Sequence, residues 1–123
     1  MLHKVEGSKH NWIDEYDIYV GYDTSPCCCE YADYFLSYEI ERNGVPDEEL
    51  IDKSTFKWEE YDFYPFASAL IENVPGLDEG AIAMFPMIHK TTSRMVYLHL
   101  FNAHNGYYSH GFESNTFIGN GSL

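Results

Sequence analysis

The chain has 123 residues, is 45% hydrophobic and 17% aromatic, and carries a net charge of −13. It is long enough for one domain with a real core and too apolar for a disordered acidic polymer. Seven basic against twenty acidic residues exclude a direct nucleic-acid binder, because phosphate contacts need Lys and Arg.

In chain order, residues 12–23 alternate Ile18, Tyr19 and Val20 among acids and read as a strand that stops at Thr24-Ser25-Pro26. Cys27, Cys28 and Cys29 follow. Neighbouring cysteines cannot satisfy ordinary disulfide geometry, and the odd count fits a reducing compartment. On an extended segment only Cys27 and Cys29 would share a side, short of a closed zinc set, so buried thiols are expected and no metal. Residues 31–41 place Tyr34, Leu36, Tyr38 and Ile40 on one side and Phe35, Ser37, Glu39 and Glu41 on the other, a second strand with one wetter face. Arg42-Asn43-Gly44 is a turn.

Residues 46–53 begin with Pro46, Asp47, Glu48 and Glu49 and end with Lys53, the charge order that suits a helix dipole, so a short helix is expected. Residues 55–63 read as a strand in which Glu59-Glu60 breaks the period and marks a bulge. Residues 65–73 read as a helix with Pro65 in its first turn and Phe66, Ala69, Leu70 and Asn73 on one stripe. Residues 81–90 and 94–102 form two strands joined by a polar turn at 91–93. Asn105-Gly106 then carries the strongest local hairpin signal, since a type I′ turn needs positive φ at both central residues. A two-residue loop there sets Phe101 opposite His110 and His99 opposite Phe112, so His99, Phe101, Tyr108, His110 and Phe112 share one face. The tail 115–123 adds a last short strand. The expected fold is a single α+β domain over residues 1–123, a mainly antiparallel sheet with two short helices on one side.

Chemistry-bearing patterns are sparse. No P-loop and no GxGxxG follows a strand. Cys28 with His99 or His110 and Asn102 supplies the residue types of a thiol hydrolase, but Asp23, Glu30 and Asp33 near the cysteines oppose a thiolate. Six histidines form no HxxxH pair, the many carboxylates follow no EF-hand spacing, and no cofactor is expected. No apolar leader follows Met1-Leu2-His3-Lys4, and the longest apolar run, residues 81–88, is broken by Pro86 and too short to span a membrane, so a cytoplasmic protein is expected.

The charge is unevenly spread. Residues 30–62 carry eleven acids and three bases, whereas residues 80–123 carry one acid, Glu113, against Lys90 and Arg94. A dense negative field attracts basic protein surfaces. The expected partner-binding patch is Asp47, Glu48, Glu49, Asp52, Glu59, Glu60 and Asp62. The alternative is a small-ligand or structural module using the aromatic face of His99, Phe101, Tyr108, His110 and Phe112, and a thiol or metal enzyme comes third.

Two pieces of the chain, in order, resemble a small uncharacterised domain family of bacteriophage and bacterial genomes. The first is the strand running into the cysteines over residues 21–30 with the acidic stretch 31–41 and Glu49-Leu50-Ile51. The second is Asn105-Gly106-Tyr107-Tyr108-Ser109 after an apolar strand. The chain departs from that pattern by a third cysteine and the stretch 56–79. The resemblance implies a phage-type origin and a compact sheet, with no catalytic residue to carry over. Together with the charge it leads to the expectation of a phage-type intracellular binding protein, an acidic inhibitor that occupies a basic, nucleic-acid-binding surface of a host protein.

Overall fold

In the computed structural model the chain opens on a hairpin. Strands β1 (Leu2–Glu6) and β2 (Lys9–Ile13) pair antiparallel, closing with Glu6 opposite Lys9. Gly7 takes φ +62°, a position only glycine fills cheaply, at the first central residue of the two-residue turn. The residues described are 1–25, 31–38, 50–64, 82–103, 110–116 and 119–123.

β3 (Tyr19–Asp23) pairs with β2, β8 (Gly111–Ser114) with β3, and β9 (Gly121–Ser122) with β8, giving a five-stranded sheet in the order β1-β2-β3-β8-β9. A second, four-stranded sheet has the order β4-β7-β6-β5, from β4 (Tyr31–Ser37), β5 (Tyr61–Phe63), β6 (Ile82–His89) and β7 (Met95–Ala103). Every pairing is antiparallel. The polar turn expected at 91–93 closes the β6–β7 hairpin, with Ser93 at φ +61°.

Side-chain alternation directs one face of each sheet at the other. The first sheet contributes Trp12, Val20, Tyr22 and Phe112 to the core, and the second contributes Leu36, Phe85, Met87, Leu98 and Leu100. Trp12 meets Tyr34 edge-on at 5.1 Å and Phe85 meets Phe112 at 6.0 Å, so rings bridge the sheets. The second sheet is also buried on its other face, where Phe35, Met84, His99 and Phe101 lie, with Leu50 packed against Phe35 and Phe101. Burial on both faces is why β6 and β7 read as nearly unbroken apolar runs. Pro86 sits within β6 where the ladder to β5 runs out. Its carbonyl accepts from the Tyr64 N–H at 2.9 Å, so its donorless nitrogen is also turned to the side where pairing ends.

Several expectations are corrected. The α+β class with two helices is replaced by an architecture of antiparallel β-sheets. Among the described residues the helical content is one 3-10 turn, Trp58–Glu60. The expected helix 65–73 and the start of the helix at 46–49 lie outside the described residues, but residues 50–53 are irregular. Here the Ile51 N–H bonds the Leu36 carbonyl at 3.2 Å, and the Asp52 carboxylate accepts from the Ser54 N–H and Oγ, a turn instead of a helix interior. The strand expected over 12–23 is the end of β2, a loop, and β3. The bulge at Glu59-Glu60 is the 3-10 turn.

A further correction concerns register. The Asn105-Gly106 turn and Tyr108 lie outside the described residues, but the pairing expected from them is absent. Phe101 lies between Asp33 and Ile82, His99 between Phe35 and Met84, and Phe112 between Tyr22 and Gly121. β7 is flanked on both sides within its own sheet, so β8 pairs elsewhere. Among the described residues no helix is long and apolar enough to cross a membrane.

Candidate functional site

The described members of the expected acidic patch, Asp52, Glu59, Glu60 and Asp62, are not all exposed. Asp47, Glu48 and Glu49 lie outside the described residues. Asp52 and Glu59 are exposed. Glu60 is engaged: His89 Nδ1 accepts from the Thr91 and Thr92 N–H groups, both at 3.1 Å, which leaves the proton on Nε2, donated to Glu60 Oε1 at 2.9 Å. Asp62 is buried, with Lys90 Nζ at 3.8 Å as its nearest cation, and burial raises its pKa.

A second acidic group lies where β2 turns into β3. Asp14 is buried and accepts three backbone N–H groups: Tyr16 and Ile18 on Oδ1 at 2.9 Å each, and Phe63 on Oδ2 at 3.1 Å. One carboxylate thus shapes the loop and ties it to the other sheet. Glu15 and Asp17 flank it and are exposed, with Lys90 Nζ 3.5 Å from Glu15.

The expected aromatic face is packing. His99 is fully buried, its ring parallel to Phe35 at 4.4 Å. Its Nδ1 donates to the Tyr97 carbonyl at 3.1 Å, and burial holds its pKa near 4, so it is neutral at pH 7. Phe101 is buried beside Phe35, and Phe112 is in the core of the other sheet. His110 is buried, its Nδ1 donating to the Asp23 carbonyl at 2.9 Å. His99 and Phe101 therefore share one face of the second sheet, whereas Phe112 lies in the core of the first, so the expected common face does not form.

Sequence reasoning missed a ring cluster at the β1–β2 hairpin. His3 Nε2 and His10 Nδ1 are 3.0 Å apart, with ring planes within 11° of parallel. The His3 ring lies parallel to Trp12 at 4.9 Å, and Trp58 at 5.0 Å and Tyr34 at 5.5 Å approach it from the second sheet's side. Burial, His10 and Lys53 hold the His3 pKa near 4, and burial also lowers His10, so a neutral pair shares a proton. Lys53 sits over the Tyr34 ring at 4.2 Å and donates to Asp33 Oδ2 and the Tyr34 carbonyl. Burial, then Asp33, pushes the Tyr34 hydroxyl up to about 12. The signal was the alternation of His3 and Val5 against His10 and Trp12, legible only once Gly7-Ser8 is taken as a turn.

The exposed apolar side chains were missed as well. Leu2, Ile13 and Tyr19 stand in register across β1, β2 and β3 on the outer face of the first sheet, and Tyr16 projects from the adjoining loop. The cysteines lie outside the described residues, and among the described residues no three His, Cys, Asp or Glu side chains are grouped to hold a metal ion. Comparison with protein-family models, curated proteins and solved structures finds no match to this chain.

Proposed function

We propose that the chain is a non-catalytic binding domain whose acidic surface engages a basic protein surface, as a phage-type inhibitor in the host cytoplasm would when it occupies a groove that otherwise holds nucleic acid. The observation that carries this reading is the imbalance of free charge. Lys9 is held by Glu113 at 2.8 Å, Lys53 by Asp33 at 2.9 Å, Lys90 lies between Glu15 and Asp62, and Arg94 covers the Tyr38 ring. Lys4 and Lys57 are exposed, against the exposed acids Glu6, Glu15, Asp17, Asp23, Asp52 and Glu59. Each exposed charge contributes little alone, about 0–1 kcal/mol, but the summed field speeds encounter with a basic partner.

The test is affinity capture from a bacterial lysate at low and high salt. A specific partner should be retained at low salt and released as the Debye length falls from ~10 Å at 0.1 M salt to ~3 Å at 1 M. Retention that is indifferent to salt, or no retention at all, would remove the reading.

A further inference from the structure

The outer face of the five-stranded sheet ends in an apolar row that the fold itself does not use. Cross-strand register places Leu2 opposite Ile13 and Ile13 opposite Tyr19, while their neighbours Trp12 and Val20 point into the core. Leu2 is 58% exposed, Ile13 38% and Tyr19 37%, and Tyr16, 69% exposed, lies on the loop that joins Ile13 to Tyr19. Among the described residues six large hydrophobic side chains are exposed, and four of them are these. Single exposed apolar residues are ordinary, but a contiguous group marks a contact surface.

We propose that Leu2, Ile13, Tyr16 and Tyr19 form the docking surface for a basic protein segment that carries an apolar or aromatic centre. This rests on the acidic-binding reading above and places its contact.

Three features support the commitment to that occupant. First, the row has the anatomy of an interface, aromatic and aliphatic at its middle and charged at its edge, with Glu15 and Asp17 exposed on either side of Tyr16. Second, the loop is set in advance. Asp14 holds the N–H groups on both sides of Asp17, Asn115 Oδ1 accepts from the Tyr19 N–H at 2.8 Å, and Asn115 Nδ2 donates to the Asp17 carbonyl at 2.8 Å. A surface ordered before contact loses less freedom on binding. Third, charge selects the partner. A chain at −13 repels a second copy of itself, and among the described residues the cations at this end are Lys4 in the next row, Lys90 beside Glu15 and the Met1 ammonium, which is held by the Trp58 and Tyr61 carbonyls. A basic peptide with an apolar middle matches both the rim and the row.

The experiment uses two labelled synthetic peptides of equal positive charge, one with a Leu-Trp-Leu centre and one with a Gly-Ser-Gly centre, titrated against the full chain by fluorescence anisotropy. The apolar-centred peptide should bind at least about tenfold more tightly. That gain should vanish in the Tyr16→Ser/Tyr19→Ser double variant and persist in Tyr38→Ser, an exposed tyrosine elsewhere. If the double variant loses its fold, Tyr16→Ser alone should remove most of the gain. Equal binding of the two peptides, or a gain that survives the double variant, overturns the docking surface and leaves the acidic reading standing. Binding of neither peptide overturns both. A dimer in sedimentation that the double variant abolishes overturns the proposal in favour of a second copy.

Discussion

His99 makes the stability of this protein depend on pH in a calculable way. Its ring is enclosed in the second sheet between Phe35 and the Tyr97 carbonyl, and burial holds its pKa near 4 against an ordinary 6.5. Between those values the unfolded chain binds a proton that the native state refuses, so stability rises with pH across that window. The contribution is complete above about pH 6.5 and is lost as pH falls through 6.5 toward 4. The interval corresponds to about 3 kcal/mol for this fully buried ring. His3, shifted the same way to about 4, and His10, also lowered, add in the same direction, but both are half exposed and solvent reduces their share. Asp62, raised by burial, works oppositely, gaining stability as pH falls toward 3.8. Urea unfolding followed by the fluorescence of Trp12 and Trp58 should show a loss of about 3 kcal/mol or more between pH 7.5 and 4.5, a large fraction of a typical domain stability of about 5–15 kcal/mol. His99→Phe keeps a ring against Phe35 and should flatten the dependence by about 3 kcal/mol. Parallel pH profiles for the variant and the wild type would refute the reasoning.

Two further substitutions test the frame that carries the proposed surface. Asp14→Ala leaves the Tyr16, Ile18 and Phe63 N–H groups without their acceptor and should cost about 2–4 kcal/mol, read as a lower urea midpoint, with amide exchange fastest in residues 14–18. Gly121→Ala puts a methyl group 2.7 Å from Phe112 Cζ and 2.9 Å from Cε1, and Phe112 is core, so a loss of about 1–3 kcal/mol in thermal unfolding is expected. An unchanged melting temperature would mean that Phe112 does not pack over Gly121.

Strands were legible wherever one face is core. The alternation of Tyr34 and Leu36 against Phe35 and Ser37 survives in β4, although the face expected to be wetter is buried at Phe35 and Ser37, and the two strands around residues 91–93 stand as expected. Expectation failed where tertiary pairing outweighs a local signal. The Asn105-Gly106 pair is a turn signal that does not say which strands pair, and β4 and β6 already occupy both sides of β7. The acid-first pattern of residues 46–53 suits a helix, yet Ile51 is drawn to the Leu36 carbonyl at the end of β4. The same limit applies to the site. Charge density over residues 30–62 was plain in the sequence, but spacing does not tell Asp62, which is buried, from Glu59, which is not. Tyr19 and Val20 alternate visibly, but which of them faces out depends on the second sheet packing over Val20.

Where the negative charge acts decides where a basic partner docks. Two triple variants of equal net charge compare this: Glu15→Gln/Asp17→Asn/Glu59→Gln, neutralising acids around the Tyr16 loop and the 3-10 turn, and Glu6→Gln/Asp23→Asn/Asp52→Asn, neutralising exposed acids away from that loop and turn. Association rates with the partner captured at low salt should fall several-fold for the first variant and far less for the second, and the salt dependence of the first should flatten. Equal rates for both variants would contradict the placement of the binding surface, and rates equal to wild type for both would leave the charge with no part in binding.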